Sequence, residues 1–208
     1  MSIIYDTKWA LLALFPEQAE EEKVREEEAK VLAALQEMEP AEEEGEKASQ
    51  EVEQQEEAAA EKPKKPKEPE EIPPRNNGVL EVDYQARGAS LDVLCSPEQV
   101  IDTAGILDKA GFFIESISGV DWIKEDQMEV IYDYSIVADV PCRVVVRTRI
   151  PRSEPVVPTI SEIYPGANWH ERETHEFFGI RFEGHPNLVP LLLPEDADFH
   201  PLRKDFKL

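Results

Sequence analysis

Residues 91–111 read LDVLCSPEQVIDTAGILDKAG and join a strand to a helix with clear boundary signals. The apolar run Leu91–Cys95 is typical of a buried strand. Ser96 then stands at the helix cap, a proline fills the first helical position, and Gln99 is placed to close a capping box. Gly111 supplies a left-handed stop. The stretch therefore predicts a strand followed directly by a helix, which is the start of a mixed α and β domain.

Further strands are predicted on both sides of this unit, because apolar and polar residues alternate there. They are expected at Leu80–Tyr84, Phe112–Ile117, Met128–Val137 and Cys142–Ile150, with a loop at Gly119–Trp122. The order of strands and helices predicts an α+β domain over residues 79–150, with a mainly antiparallel sheet and helices on one face.

The chain changes character after Ile150, where prolines interrupt any regular pattern. A helical turn is predicted at Thr159–Tyr164, and a longer helix is predicted at Ala167–Phe178 and ends at Gly179. The rest of the segment 151–208 is expected to be an extended tail. Its apolar residues have neither strand nor helix spacing, so the tail needs another surface to lie on.

The segment 17–78 is predicted to be an acidic, proline- and lysine-rich linker, disordered except for a possible helix at residues 20–38. From Glu17 to Arg75 it has 21 acidic and 9 basic residues and no aromatic residue. Such a composition cannot bury enough apolar surface to offset the entropy lost on ordering. The linker therefore separates the first residues from the folded domain.

Residues 1–16 form a short apolar segment that is expected to dock on a partner protein. The segment carries charges and is shorter than the ~20 residues that a spanning helix needs. It also lacks the basic start and the cleavage site of a signal peptide, which predicts a cytoplasmic protein.

Composition excludes several functions. A formal net charge of −23 disfavours a nucleic-acid partner. The two cysteines, Cys95 and Cys142, lie in apolar runs and are interpreted as buried thiols, whereas an iron–sulfur cluster is usually held by four thiolates. The sequence also has no glycine-rich phosphate cradle. No cofactor is therefore expected in this chain.

All four histidines lie in the last 39 residues, so a metal site has to be considered. His170 and His175 are five residues apart, about 140° around a helix, whereas paired helical ligands need a spacing of three or four. A metallohydrolase that uses these two with Glu171 and His185 stays open as an alternative, although metal ligands are not the favoured interpretation.

The predicted helix at Ala167–Phe178 has one face that is both aromatic and charged. It carries Trp169, Arg172, Glu173, Glu176 and Phe177. One interpretation is a core face with solvated charges at its edges. The other is a protein interface, in which Arg172 and Glu176 pair with each other or with charges of a partner.

Three blocks then occur in one order: ANWHERETHEFFGI at 167–180, FEGHPNL at 182–188 and HPLRKDF at 200–206. Together they resemble the signature of the 30 kDa subunit family of respiratory complex I, the NADH-quinone oxidoreductase, and the resemblance extends over residues 79–208. Two positions depart from it. Glu176 stands where the family commonly has aspartate, and Phe199 stands where it has glycine.

The resemblance implies a subunit of the peripheral arm without a redox centre. It would pack on the large subunit derived from a hydrogenase catalytic chain, beside iron–sulfur subunits, with the clusters and flavin in those partners. Candidate interface residues follow from the blocks and from the helix face: Trp169, Glu171, Arg172, Glu173, Glu176, Phe177, Gly179, His185, Pro186, Arg203, Lys204 and Asp205.

Subunits of this family occur in several enzyme complexes, so the resemblance implies more than one possible enzyme. The electron donor would be NADH or a reduced deazaflavin coenzyme, and the acceptor a membrane quinone or a quinone-like molecule. A membrane-bound energy-converting hydrogenase is an alternative. Contact with the membrane would be indirect, through the complex, on the cytoplasmic side. A free acidic adaptor is a third hypothesis.

Overall fold

The computed structural model describes residues 2–38, 76–138 and 141–207. Two compact units divide the chain: residues 1–22 together with 76–208 form the first, and residues 23–75 form the second. Most of the predicted linker, residues 39–75, lies outside the described residues. A helix at Pro16–Met38 covers the range in which a helix was expected.

The described elements follow one another in a simple order. They are α1 (Ile3–Leu12), α2 (Pro16–Met38), β1 (Gly78–Glu81), α3 (Tyr84–Arg87), β2 (Leu91–Cys95), a 3-10 turn (Pro97–Gln99), α4 (Val100–Lys109), β3 (Phe113–Trp122), β4 (Gln127–Ile136), β5 (Cys142–Pro151), β6 (Val156–Pro158), α5 (Ala167–Phe178) and β7 (Arg181–Glu183).

The main sheet has five strands in the order β1-β2-β5-β4-β3. Only the pair β2 and β5 is parallel, and the other three pairs are antiparallel. This arrangement confirms the predicted α+β fold with a mainly antiparallel sheet. The predicted capping box at Ser96 and Gln99 is also confirmed.

One face of the sheet carries the hydrophobic core. Alternate residues of β5, such as Val144 and Val146, are fully buried there, as are Tyr132 and Tyr134 of β4. The opposite face carries charges. Arg147 of β5 pairs there with Asp92 at 3.2 Å, among other ion pairs. The alternation follows from the two-residue period of a strand, which sends successive side chains to opposite faces.

The amino-terminal segment packs on this chain's own domain. Leu11, Leu12 and Phe15 lie in the core. Gln18 fixes the start of α2 to β1, since its amide donates to the Val79 carbonyl at 2.6 Å and accepts from the Val79 N–H at 2.8 Å. In this structure the segment therefore docks within the chain, where the sequence predicts docking on a partner protein.

Three local predictions were wrong. Residues 119–122 continue β3 as a strand, because they pair with β4 up to Trp122, which lies opposite Gln127. The strand predicted to reach Tyr84 stops at Glu81. Asp83 then caps the short helix α3 by accepting from the Gln85 N–H at 3.0 Å. Finally, the tail contains β7, which pairs in parallel with β6.

Candidate functional site

Helix α5 ends at Gly179, which has a left-handed φ of 74° and donates to the His175 carbonyl at 2.7 Å. A side chain at this position would also collide with the tail. A Cβ atom there would lie 2.6 Å from Nε2 of His200 and closer still to Arg203. Glycine is therefore required both for the turn and for the close approach of the tail.

The tail supplies partners for the last carbonyl groups of α5. His200 Nδ1 contacts the Glu176 carbonyl at 2.9 Å, and the Leu202 N–H donates to the Phe177 carbonyl at 3.1 Å. Arg203 Nε donates to the Phe178 carbonyl at 2.6 Å. A helix leaves its final carbonyls without intrahelical partners, and a cation there also opposes the negative end of the helix dipole. The HPLRKDF block thus caps α5.

Two charged side chains of α5 hold an earlier part of the tail by its backbone. Arg172 donates to the carbonyls of Val189 and Pro190, both at 2.9 Å. Glu176 is 3% exposed and accepts from three successive N–H groups, at residues 191–193, at 2.8 to 3.0 Å. The sequence predicts that Arg172 and Glu176 pair with each other or with charges of a partner protein. In the structure both side chains bind backbone groups of the tail instead. We call this set of contacts the tail clasp: Arg172 and Glu176 with residues 189–193, and the end of α5 with residues 200–203.

Glu171 is also a residue of α5, and its side chain is fully buried. Its carboxylate accepts from the Thr159 hydroxyl and from the Ile160 N–H, the latter at 2.8 Å. Burial raises the pKa of Glu171 from 4.5 to about 7, and the two hydrogen bonds only partly oppose this effect. Glu171 was predicted to lie in an interface, but in this structure its side chain is enclosed by its own chain.

His185 packs against Glu171, with 3.9 Å between Nε2 and the Glu171 Oε2 atom. The Asn187 N–H donates to Nδ1 at 3.1 Å, so Nδ1 is an acceptor. Nε2 therefore carries the hydrogen and donates to the Asn168 carbonyl at 3.3 Å. Burial lowers the pKa of His185, and nearby Arg172 adds to the shift, so the neutral ring is favoured.

Ion pairs around the buried Asp121 carboxylate anchor the end of the tail to the sheet. Arg152 donates to both carboxylate oxygens of Asp121, at 2.9 and 3.2 Å, and to Asp205 at 2.6 Å. The Lys204 N–H donates to the same Asp121 carboxylate at 2.9 Å. Burial alone would raise the pKa of Asp121, but these hydrogen bonds outweigh it and lower that pKa. Lys204 and Asp205, both predicted interface residues, therefore contribute contacts within the chain.

The outer surface of α5 and the tail is rich in exposed apolar side chains. Trp169 is 59% exposed, with the Arg172 guanidinium 5.3 Å from its ring centre. Val189, Leu192, Phe199 and Leu202 are also exposed. Large exposed apolar side chains on one helix and on the tail held against it favour a site of protein interaction. Four of the predicted interface residues are exposed: Trp169, Pro186, Lys204 and Asp205. Six more are half-buried: Arg172, Glu173, Phe177, Gly179, His185 and Arg203.

Three of the four histidines, His175, His185 and His200, contact backbone groups of the protein itself. Both ring nitrogens of His185 have backbone partners, and Nδ1 of His175 contacts the Ile180 carbonyl at 2.8 Å. Across the part of the chain that the structure describes, no three His, Cys, Asp or Glu side chains are grouped as metal ligands. Both cysteines are free and buried, and burial raises the pKa of Cys95 to about 12.

Three residues of this site were missed by sequence reasoning: Asp121, Arg152 and Thr159. The sequence predicts a loop at Asp121 and a helical turn that begins at Thr159, and Arg152 stands in a proline-rich stretch without a regular pattern. Nothing local in the sequence marks a contact that joins positions 12 to 83 residues apart.

The fold and these contacts define a class: a one-sheet α+β protein whose tail is held on its last helix and presents an apolar outer surface. The model of the respiratory-chain NADH dehydrogenase 30 Kd subunit family matches residues 93–208. The chain belongs to that family.

Relatives of two enzyme types match this chain. The corresponding subunit of the NADH-quinone oxidoreductase of Roseiflexus castenholzii is 41% identical over 123 residues, which are 57% of this chain and 70% of that protein. The corresponding subunit of the F(420)H(2) dehydrogenase of Methanosarcina mazei is 42% identical over 93 residues, covering 44% of this chain and 58% of the relative.

One solved structure shares the fold at a TM-score of 0.52 and 31% identity. It is a chain of the membrane-bound sulfane sulfur reductase, an archaeal respiratory membrane complex, and the match covers 57% of this chain and 72% of the other. No helix among residues 2–38, 76–138 and 141–207 is both long enough and apolar enough to span a membrane.

Proposed function

We propose that this chain is a non-redox structural subunit in the peripheral arm of a complex I-like oxidoreductase. It would support electron transfer from NADH or a reduced deazaflavin coenzyme to a membrane quinone without holding a redox centre itself. The observation that carries this proposal is the tail clasp, in which Arg172, Glu176 and Arg203 of the family signature bind the chain's own backbone.

The clasp explains why so many charged residues are needed for a role without chemistry. Residues 184–207 contain neither helix nor strand, so the tail has no hydrogen-bonded ladder of its own. Each hydrogen bond to a charged group contributes about 1.5 to 3 kcal/mol. Arg172, Glu176 and Arg203 together hold the tail in one path, and that path arranges the exposed apolar side chains as a preformed surface. A preformed surface loses less entropy on binding.

The partners are proposed from the family and from this surface. They are the large subunit derived from a hydrogenase catalytic chain and the neighbouring iron–sulfur subunits, with clusters and flavin held by those chains. Trp169, Phe177 and Pro186 would contribute to the contact, since their side chains are at least partly accessible. The protein would lie on the cytoplasmic side and reach the membrane only through the complex.

Sequence identity does not distinguish the two electron donors, because relatives of the NADH and F(420)H(2) types match at nearly the same identity, 41% and 42%. The partner subunits would identify the donor. Mass spectrometry of the proteins that copurify with the tagged chain distinguishes the two. Subunits of a hydrogenase instead would identify the alternative enzyme.

The proposal is tested with the purified full chain and with membranes of its source organism. We expect the chain alone to bind neither flavin nor iron, and to pass no electrons from NADH or the reduced deazaflavin to a quinone analogue. On blue native gels it should comigrate with a large membrane assembly. Intrinsic turnover, or migration only as a free protein, would contradict the proposal.

A further inference from the structure

A cavity of about 420 Å³ lies between α5 and β3. The helix lines it with His170, Glu173, Thr174 and Phe177, whose spacing places them on one face of the helix. The strand contributes residues 116–119. The cavity therefore combines an aromatic ring, a carboxylate and the backbone of a strand.

The strand that lines the cavity is an edge of the sheet, because β3 has β4 as its only neighbour among the described strands. Two contacts hold α5 against this edge. Thr174 Oγ1 donates to the Ile117 carbonyl at 3.1 Å. The Phe178 ring fills the space beside Gly119. A Cβ atom on Gly119 would lie 2.6 Å from that ring. The cavity thus has fixed walls and lies along a strand edge, which is where proteins accept extended segments.

Glu173 differs from the other two acidic residues of α5. Glu171 and Glu176 are buried and accept backbone N–H groups. Glu173 is half-buried and lines the cavity, and among the described residues none forms an ion pair or a hydrogen bond with its carboxylate. A carboxylate beside an aromatic wall loses part of its hydration, and a cation compensates for that loss.

We propose that this cavity receives an arginine side chain from an extended segment of the partner subunit. The guanidinium would bind the Glu173 carboxylate and stack on Phe177, because it is planar, carries five N–H donors and is weakly hydrated. Lysine fits less well, since its ammonium group is a strongly hydrated point charge. The inference rests on the proposed function and specifies one contact of that interface.

The first experiment identifies the segment in the assembled complex. A photo-crosslinking p-benzoylphenylalanine replaces His170 in the tagged full chain, the complex is purified and irradiated, and the crosslinked peptide is sequenced. We expect one partner peptide with an arginine within two or three residues of the crosslink. A peptide without a basic residue would overturn the inference.

The second experiment compares Glu173→Gln with Glu162→Gln, an exposed glutamate outside the cavity lining. We expect Glu173→Gln to dissociate from the complex about tenfold faster, with a weaker dependence on salt, and the control to match the wild type. Both isolated chains should melt as the wild type does.

The outcomes separate the two proposals. If the wild-type chain is present in the complex and Glu173→Gln dissociates at the wild-type rate, the inference is wrong and the proposed function stands. If the wild-type chain is found in no membrane oxidoreductase, the proposed function is wrong and the inference falls with it.

Discussion

The Arg203 guanidinium donates to the Phe178 carbonyl at 2.6 Å and so closes the end of α5 with a residue 25 positions further along the chain. The contact joins the first and last blocks of the family signature. It satisfies a carbonyl that the helix itself cannot pair, and it places a cation at the negative end of the helix dipole. Signature residues far apart in sequence therefore act as one structural unit.

Arg203→Ala should release the end of the tail and leave the sheet folded. The lost charged hydrogen bond is worth about 1.5 to 3 kcal/mol of local stability. We expect faster amide exchange at residues 200–206 and little change at β4 or β5. The control is Lys207→Ala, an exposed residue next to the same segment, which should exchange as the wild type does. Uniformly faster exchange in the sheet would contradict a local role.

Gly179→Ala should destabilise the chain by about 1 to 2 kcal/mol from the left-handed backbone alone, and by more from the collision with His200. The matched control is Gly105→Ala inside α4, where a Cβ atom would have no neighbour within 4 Å. That change should stabilise the chain by about 0.5 to 1 kcal/mol, because alanine is the better helix former. Equal melting temperatures for the two variants would refute this account of Gly179.

Glu171 should make stability fall as the pH rises. Its folded pKa of about 7 exceeds the ordinary value of 4.5, so the folded state favours the protonated carboxyl. This contribution of Glu171 to the free energy of unfolding is complete below pH 4.5 and is lost as the pH rises through 7, by about 3 kcal/mol in total. Denaturant unfolding at pH 5 to 8 should show this difference between the wild type and Glu171→Gln. A difference that does not depend on pH would disprove it.

Asp121→Asn should loosen the last residues of the tail, because the buried carboxylate holds both Arg152 and the Lys204 N–H. We expect roughly tenfold faster amide exchange at Lys204, equivalent to the loss of one charged hydrogen bond. The pKa of Asp121 is lowered in the folded chain, so this contact is present above the ordinary pKa of 3.8 and is lost at lower pH. Wild-type exchange at Lys204 in the variant would contradict the assignment.

The sheet and both main helices of the domain could be predicted from the sequence because their signals are local. The capping box formed by Ser96 and Gln99 and the left-handed helix end at Gly179 depend only on residues that are close in sequence. The docking of α1 could not be predicted, since Leu11 and Val79 lie in one core although the whole acidic segment separates them in sequence. Their packing is a tertiary effect that no local signal reports.

The candidate site was predicted as a set of residues but not as a set of contacts. The aromatic and charged face of the predicted helix identified Arg172 and Glu176, and their spacing and charge suggested that they bind each other or the charges of a partner. The structure gives them backbone partners at 189–193, which one sequence cannot reveal because every residue carries the same backbone groups.

Amide exchange at residues 191–193 in the isolated full chain tests the tail clasp most directly, because Glu176 accepts all three of these N–H groups. We predict protection of these amides in the wild type and in Glu195→Ala, a control on the exposed part of the tail, and loss of that protection in Glu176→Ala. Unprotected amides in the wild-type chain would contradict the account, because the signature would then order the tail only when a partner is bound.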